Sequence, residues 1–179
     1  MDLEKIPFVQ ARWLHRGRIG QGVKLICIHT AECPMKPGAE HGVAQYFRTS
    51  ERQASAHFTV SPSGIVQSVR TSDTAWAAKN ANSNGVHIEH TAYAAFTNED
   101  WNSEQAQAML DLSAQLAAEL CKEFDIPVRR ARFKGLEDPA VVASGLCGHV
   151  DVPLHGSHSD PGKSFPWEHY LERVSFHLA

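Results

Sequence analysis

No apolar run in the sequence approaches the roughly 20 residues that a bilayer-spanning helix needs, so no membrane insertion is expected. An excess of positive charge is missing too: 17 Lys+Arg stand against 20 Asp+Glu, a net of −3 with histidine neutral. That balance removes the electrostatic case for nucleic acid or anionic lipid as a partner. The opening residues Met1-Asp2-Leu3-Glu4-Lys5 contain no basic segment leading into an apolar one, so no secretion signal is expected and the protein reads as made in the cytoplasm. Cysteine is sparse. Cys27, Cys33, Cys121 and Cys147 form no CxxC pair, which points to reduced thiols rather than a disulfide framework. Internal repeats, low-complexity runs and interdomain linkers are absent as well. The 179 residues, 42% of them hydrophobic, suit a single domain over 1–179 with one sizeable core, read as a monomer, with residues 1–22 as a covering arm.

What the sequence has in unusual number is histidine, 11 in all. The periodicities place several of them. Lys24 to His29 is a short apolar run with the length of a buried strand, which puts His29 at its C-terminal end. Pro34, Pro37 and Gly38 break the chain before a short helix over 39–49. Ala56–Val60 and Gly64–Val69 flank the turn Ser61-Pro62-Ser63-Gly64 as a hairpin. Val86 to Ala92 alternates as another strand, so that His87 shares a face with Glu89 and His90 does not. Ala106, Met109, Leu110, Ser113, Leu116, Ala117, Leu120 and Phe124 hold helical spacing, and Asn102 or Ser103 is placed to cap that helix. After Pro127, 128–133 reads as a strand or extended segment, Asp138-Pro139 as a loop or one-turn helix, and 146–150 as a strand. The segment 153–164 reads as a loop, and Pro166 opens a C-terminal helix. Strands interleaved with helices give an α/β class with a central mixed β-sheet flanked by helices, and a cleft at the strand ends.

The segment His149-Val150-Asp151-Val152-Pro153-Leu154-His155-Gly156-Ser157-His158-Ser159-Asp160 gathers imidazoles and carboxylates within a dozen residues. Zinc chemistry needs that mixture: a catalytic site keeps three protein ligands and an open position. His29 can complete such a set from far upstream. Spacing alone does not choose among His149, His155, His158, Asp151 and Asp160, and an ordinary solvated histidine-rich loop is the competing reading. Cys33 is followed by Pro34 and is not expected to be a ligand.

Six phrases in order carry a resemblance: Ile28-His29-Thr30-Ala31, Ser55-Ala56-His57-Phe58, Ala75-Trp76-Ala77-Ala78, Val86-His87-Ile88-Glu89-His90, Gly148-His149-Val150-Asp151 and Ser159-Asp160-Pro161-Gly162. Together, from about residue 25 to 167, the chain resembles the zinc-dependent N-acetylmuramoyl-L-alanine amidases of the amidase type 2 family. These are relatives of peptidoglycan recognition proteins and of many bacteriophage endolysins. The resemblance implies that His29, His149 and Asp160 hold one Zn²⁺, that Glu89 is the catalytic glutamate, and that His158 stands where many relatives have a catalytic lysine. Ala56, where relatives lacking that glutamate tend to have tyrosine, fits the use of Glu89. Two departures stand out. An imidazole is charged only part of the time near neutral pH, unlike the lysine it replaces, and Ala77 occupies a position often held by histidine.

In those roles zinc acidifies a water and polarises the amide carbonyl between muramoyl lactyl and L-alanine, Glu89 takes and returns the proton, and His158 stabilises the oxyanion. Trp76, Asn82, Asn84 and His87 are the expected contributors to binding of the peptidoglycan or muropeptide substrate; His57 is expected to be a hydrogen-bonded supporting group. The rival readings are a muropeptide-binding module without activity, a zinc peptidase cutting inside the stem peptide, and a cytoplasmic enzyme recycling anhydromuropeptides. Wall chemistry without an export signal suggests a bacteriophage endolysin that degrades the cell wall and lyses its host after release through a holin pore.

Overall fold

The computed structural model describes residues 1–18, 20, 22–131, 133 and 144–179. The loop or helical turn expected at Asp138-Pro139, and Arg132, lie outside the described residues. Along the chain run β1 (Leu14–His15), β2 (Leu25–Thr30), α1 (Ala39–Thr49), β3 (Phe58–Ser61), β4 (Gly64–Gln67), β5 (Thr74–Ala75), β6 (Gly85–His90), α2 (Asn98–Trp101), α3 (Glu104–Phe124), β7 (Gly145–Gly148) and α4 (Trp167–Leu178). Five strands form one sheet in the order β4-β3-β6-β2-β7. β3 and β4 pair antiparallel, and the remaining neighbours are parallel. The mixed α/β sheet expected from the sequence is therefore present.

β2 sits between β6 and β7, and all six of its residues are buried. A strand covered on both faces reads as a near-continuous apolar run, which is the pattern of Leu25 to Ile28. The two faces differ sharply. Ile26, Ile28, Phe58, Val60, Val86, Ile88 and Leu146 pack with Met109, Leu110 and Leu116 of α3 and with Tyr170 and Val174 of α4 in the main core. On the opposite face mostly small groups, Cys27, Ala78, Ala81, Ala131, Cys147 and Val152, join Leu25 in a lesser cluster, with Phe133 against it. The site described below occupies that sparsely filled face.

α3 begins where Ser103 Oγ accepts from Ala106 N, and it stops where Asp125 turns left-handed at φ 52°. His90, on the core face as the alternation requires, bonds Ser113 Oγ at 2.8 Å, and Ser113 bonds the Tyr170 hydroxyl at 2.7 Å. One buried chain of polar groups thus ties sheet, α3 and α4. Burial lowers the His90 pKa to about 4, so the ring stays neutral there. Within the expected extended segment, residues 129–131 run beside β7: Ala131 N donates to the Leu146 carbonyl and Leu146 N to that of Arg129. The N-terminal arm adds a two-residue ribbon, β1 against β5, and Arg18 anchors it by donating to the carbonyls of Thr71 and Gly85.

Candidate metal centre

β2 delivers His29 one residue before its end, and β7 runs directly into a single 3-10 turn, His149–Asp151, that presents His149 on the same side. Asp160 returns from the following loop. Its carbonyl accepts from Val150 N at 3.0 Å, which pins the loop to the turn. Gly148 permits the approach: a Cβ there would fall 2.5 Å from Pro161 Cδ. Asp151, left open as a ligand by its spacing, braces the turn instead. It accepts from Gly148 N at 2.7 Å and from Arg130 at 2.5 Å, while Arg130 lies over the Trp167 ring at 3.5 Å.

His29 Nδ1 lies 2.9 Å and His149 Nδ1 3.3 Å from the same carboxylate oxygen, Oδ2 of Asp160. All three side chains are buried, and their ligand atoms lie within 4.8 Å of one another. They are the one such group of three metal-capable side chains among the described residues. A buried carboxylate facing two imidazole nitrogens suits a divalent cation: neutral nitrogen and anionic oxygen converge, and no protein atom other than these donors is needed. Burial pushes the Asp160 carboxyl up, but hydrogen bonds from His149 and His29 outweigh it and hold the group well below the usual range. Burial lowers the His29 pKa against the opposing pull of Asp160. Carboxylate ionised and imidazole neutral are the forms a metal takes.

Glu89 is the in-register neighbour of His29 on β6. Its Oε2 is buried with no hydrogen-bond partner among the described residues. Burial first, then the charges of Asp160 and Glu32, raise its pKa to about 8. His158 is half exposed; its ring stacks on His149 with centroids 3.9 Å apart, and its Nδ1 lies 3.3 Å from Asp160 Oδ1. Cys33 borders the same space as a half-buried thiol that burial pushes up to about 11. Its sulfur is not part of the converging group.

Two grooves meet at this centre. One, of about 580 Å³, runs towards α1 between Val43, Tyr46 and Phe47 and the centre, with Lys36 and Arg52 along it. The other, of about 780 Å³, runs over the 152–158 loop past Lys79, Asn80 and His155. Trp76, Ala77, His149 and His158 line both. Trp76 is held by stacking on Trp13 of the arm, centroids 5.9 Å apart. The α1 wall was not singled out in the sequence; the exposed Tyr46 on an otherwise amphipathic helix was its only signal.

The other expected binding residues fall differently. Asn82 borders the second groove, but its amide oxygen accepts from Ala77 N and Ala78 N, so it braces the turn under Trp76. Asn84 is buried beside the foot of β2, its carbonyl accepting from Lys24 N and Leu25 N, and it borders neither groove. His87 is a correction: it shares the face of Glu89 as expected, yet one pleat lower it is wholly buried and lines neither groove. It belongs to a row beneath the centre, His57, His87, Cys27 and Cys147, set by the parallel registers. The thiols of Cys27 and Cys147 lie 3.3 Å apart and are free. Burial, with the nearby Arg18 charge, lowers the His57 pKa to about 3.

Comparison with known proteins gives the fold and the family. The family model described as N-acetylmuramoyl-L-alanine amidase matches residues 19–163. N-acetylmuramoyl-L-alanine amidase A of Achromobacter lyticus is 30% identical over 155 residues, covering 84% of this chain and 82% of that protein. Among solved structures, the Staphylococcus aureus hydrolase AmiA superposes with a TM-score of 0.70 at 14% identity, over 99% of this chain and 85% of that one. A selenomethionine AmpD derivative superposes with a TM-score of 0.65 at 17% identity, over 99% and 97%. At those identities the superpositions speak for the fold, while the family match and the A. lyticus relative speak for descent: the chain belongs to the N-acetylmuramoyl-L-alanine amidase family.

Proposed function

We propose that this protein is a zinc-dependent N-acetylmuramoyl-L-alanine amidase, hydrolysing the amide between the lactyl group of N-acetylmuramic acid and L-alanine in peptidoglycan. The observation that carries the reading is the convergence of His29, His149 and Asp160 where two open grooves meet. A scissile bond with a glycan on one side and a peptide on the other needs room in two directions. These three side chains would hold one Zn²⁺, which, when bound, polarises the amide carbonyl and acidifies water.

The chain's own residues account for the proton traffic. Glu89 takes a proton from the attacking water as its oxygen bonds to the carbonyl carbon, then gives that proton to the amide nitrogen as the C–N bond breaks. Products are the lactyl carboxylate and a free L-alanine amine. Without a cation, burial raises the Glu89 carboxyl's affinity for a proton; a bound cation would counter that shift and favour the carboxylate that takes the proton. His158 donates to the carbonyl oxygen as it gains charge. Its Nδ1 faces Asp160 Oδ1 at 3.3 Å, which leaves Nε2 as the donor to the carbonyl oxygen.

The site is complete within one chain, which supports action as a monomer. Grooves open on both sides accept a strand-linked substrate, in keeping with a bacteriophage lysin that reaches the wall through a holin pore. Purified sacculi incubated with the protein should yield new L-alanine amino termini and intact stem peptides, with release abolished by chelator and restored by zinc. Binding to sacculi without release of amino termini would identify a binding module, and termini other than L-alanine a peptidase. Soluble anhydromuropeptides cleaved while sacculi stay intact would identify a recycling enzyme.

A further inference from the structure

The rear nitrogen of His29 has a buried partner. His29 Nε2 lies 3.1 Å from Nδ1 of His87, the residue one pleat below Glu89 on the neighbouring strand. His87 is wholly enclosed, and its ring is placed from two directions. Its backbone N–H donates to His57 Nδ1 at 3.0 Å, and the two rings stack at 16° with centroids 5.6 Å apart. The proton of His57 is then on Nε2, where the Asp73 carbonyl accepts it at 3.2 Å. On the far side the ring fills the space left by a missing side chain: a Cβ on Gly85 would fall 3.1 Å from His87 Nε2 and 3.3 Å from Cys27 Sγ.

A neutral imidazole has one proton for two nitrogens, so what the rear nitrogen does decides what the front one can offer. His29 Nδ1 faces Asp160 and His149. It presents a lone pair to a cation only when the ring's proton leaves the Asp160 side for Nε2; His87 Nδ1 is the acceptor within reach there, and the proton of His87 then takes its own Nε2, which is buried with no partner among the described residues. We propose that His87 is a positioning residue of the metal centre, whose Nδ1 accepts the Nε2 proton of His29 and so sets the tautomer and ring orientation in which His29 binds zinc. The inference rests on the zinc reading above and concerns metal affinity; His87 itself touches neither substrate nor metal.

Two substitutions separate an acceptor from a shape. In His87→Asn an amide oxygen occupies the place of Nδ1, whereas in His87→Leu no acceptor remains; both lose the rest of the ring. Zinc affinity is measured by competition with a chromophoric chelator, beside a thermal melt of each zinc-free protein. His87→Leu should weaken zinc binding about 10- to 100-fold, and His87→Asn should recover most of that loss. Equal affinities in His87→Leu and the unsubstituted protein would overturn the inference and leave the zinc site standing. No zinc binding by the unsubstituted protein would overturn both. Nitrogen-15 NMR of the zinc-loaded unsubstituted protein gives an answer independent of how the variants fold. The expected spectrum has His29 protonated at Nε2 and His87 bare at Nδ1, and a protonated His87 Nδ1 contradicts it.

Discussion

At the scale of single residues, the site works through what each side chain lacks. Glu89 has no hydrogen-bond partner for its buried oxygen, and its raised pKa has a consequence that needs no substrate. In metal-free protein the folded state keeps the Glu89 proton up to about pH 8, whereas the unfolded chain releases it near pH 4.5. Between those values folding binds a proton, so the contribution of this group to stability is intact below about pH 4.5 and declines as pH rises towards 8. Glu89→Gln removes that slope. Urea denaturation with chelator present should show the variant gaining on the parent from pH 5 to pH 8, by a few kcal/mol at the upper end. The same variant should retain zinc and lose about 10²–10⁴ in turnover; normal turnover would remove the proposed base. His158 makes a different prediction. His158→Ala should retain zinc and lose about 10²–10³ in turnover. Unchanged turnover in that variant would show that His158 plays no part in the reaction.

At the scale of elements, the centre depends on how a strand end becomes a turn. Asp151 closes the turn that presents His149 by accepting from Gly148 N and Arg130. Asp151→Ala should therefore lower zinc affinity although Asp151 is no ligand, and chelator competition measures the loss. On the core face, Ser113 joins His90 to Tyr170. Ser113→Ala leaves two buried polar groups short of a partner and should cost about 1–3 kcal/mol in chemical denaturation. Much at this scale was legible in the sequence. α1 falls on the expected residues 39–49, and β2, β6 and α3 fall within a residue or two of theirs, because long apolar patterns and the Ser103 cap mark them. The β1–β5 ribbon was not legible, since two residues per strand carry no periodicity. Nor was α2, whose only signal is the capping box of Thr97 and Asp100. The choice of Asp160 over Asp151 came from resemblance. Spacing could not make it, because the two differ by whether the carboxylate faces the turn or the two imidazoles.

At the scale of the whole molecule, the sheet separates stability from chemistry. Its α3/α4 face is filled by large apolar side chains, while the opposite face carries small residues and histidines and opens into the two grooves. The alternation of β6 announced this, since it puts His87 and Glu89 on one side and His90 on the other. Which of them meets solvent depends on depth along the strand, and so His87 was misplaced in the cleft. Trp76 lies at the junction of the grooves, held by Trp13 of the arm. The proposed chemistry needs one cation held by side chains from β2, the turn after β7 and the loop beyond it. The most direct test is the zinc content, by elemental mass spectrometry, of purified protein exchanged into zinc and then desalted, beside that of Asp160→Ala. One zinc per chain is expected in the former and none in the latter; zinc-free parent protein, or full zinc in Asp160→Ala, would rule out this metal centre.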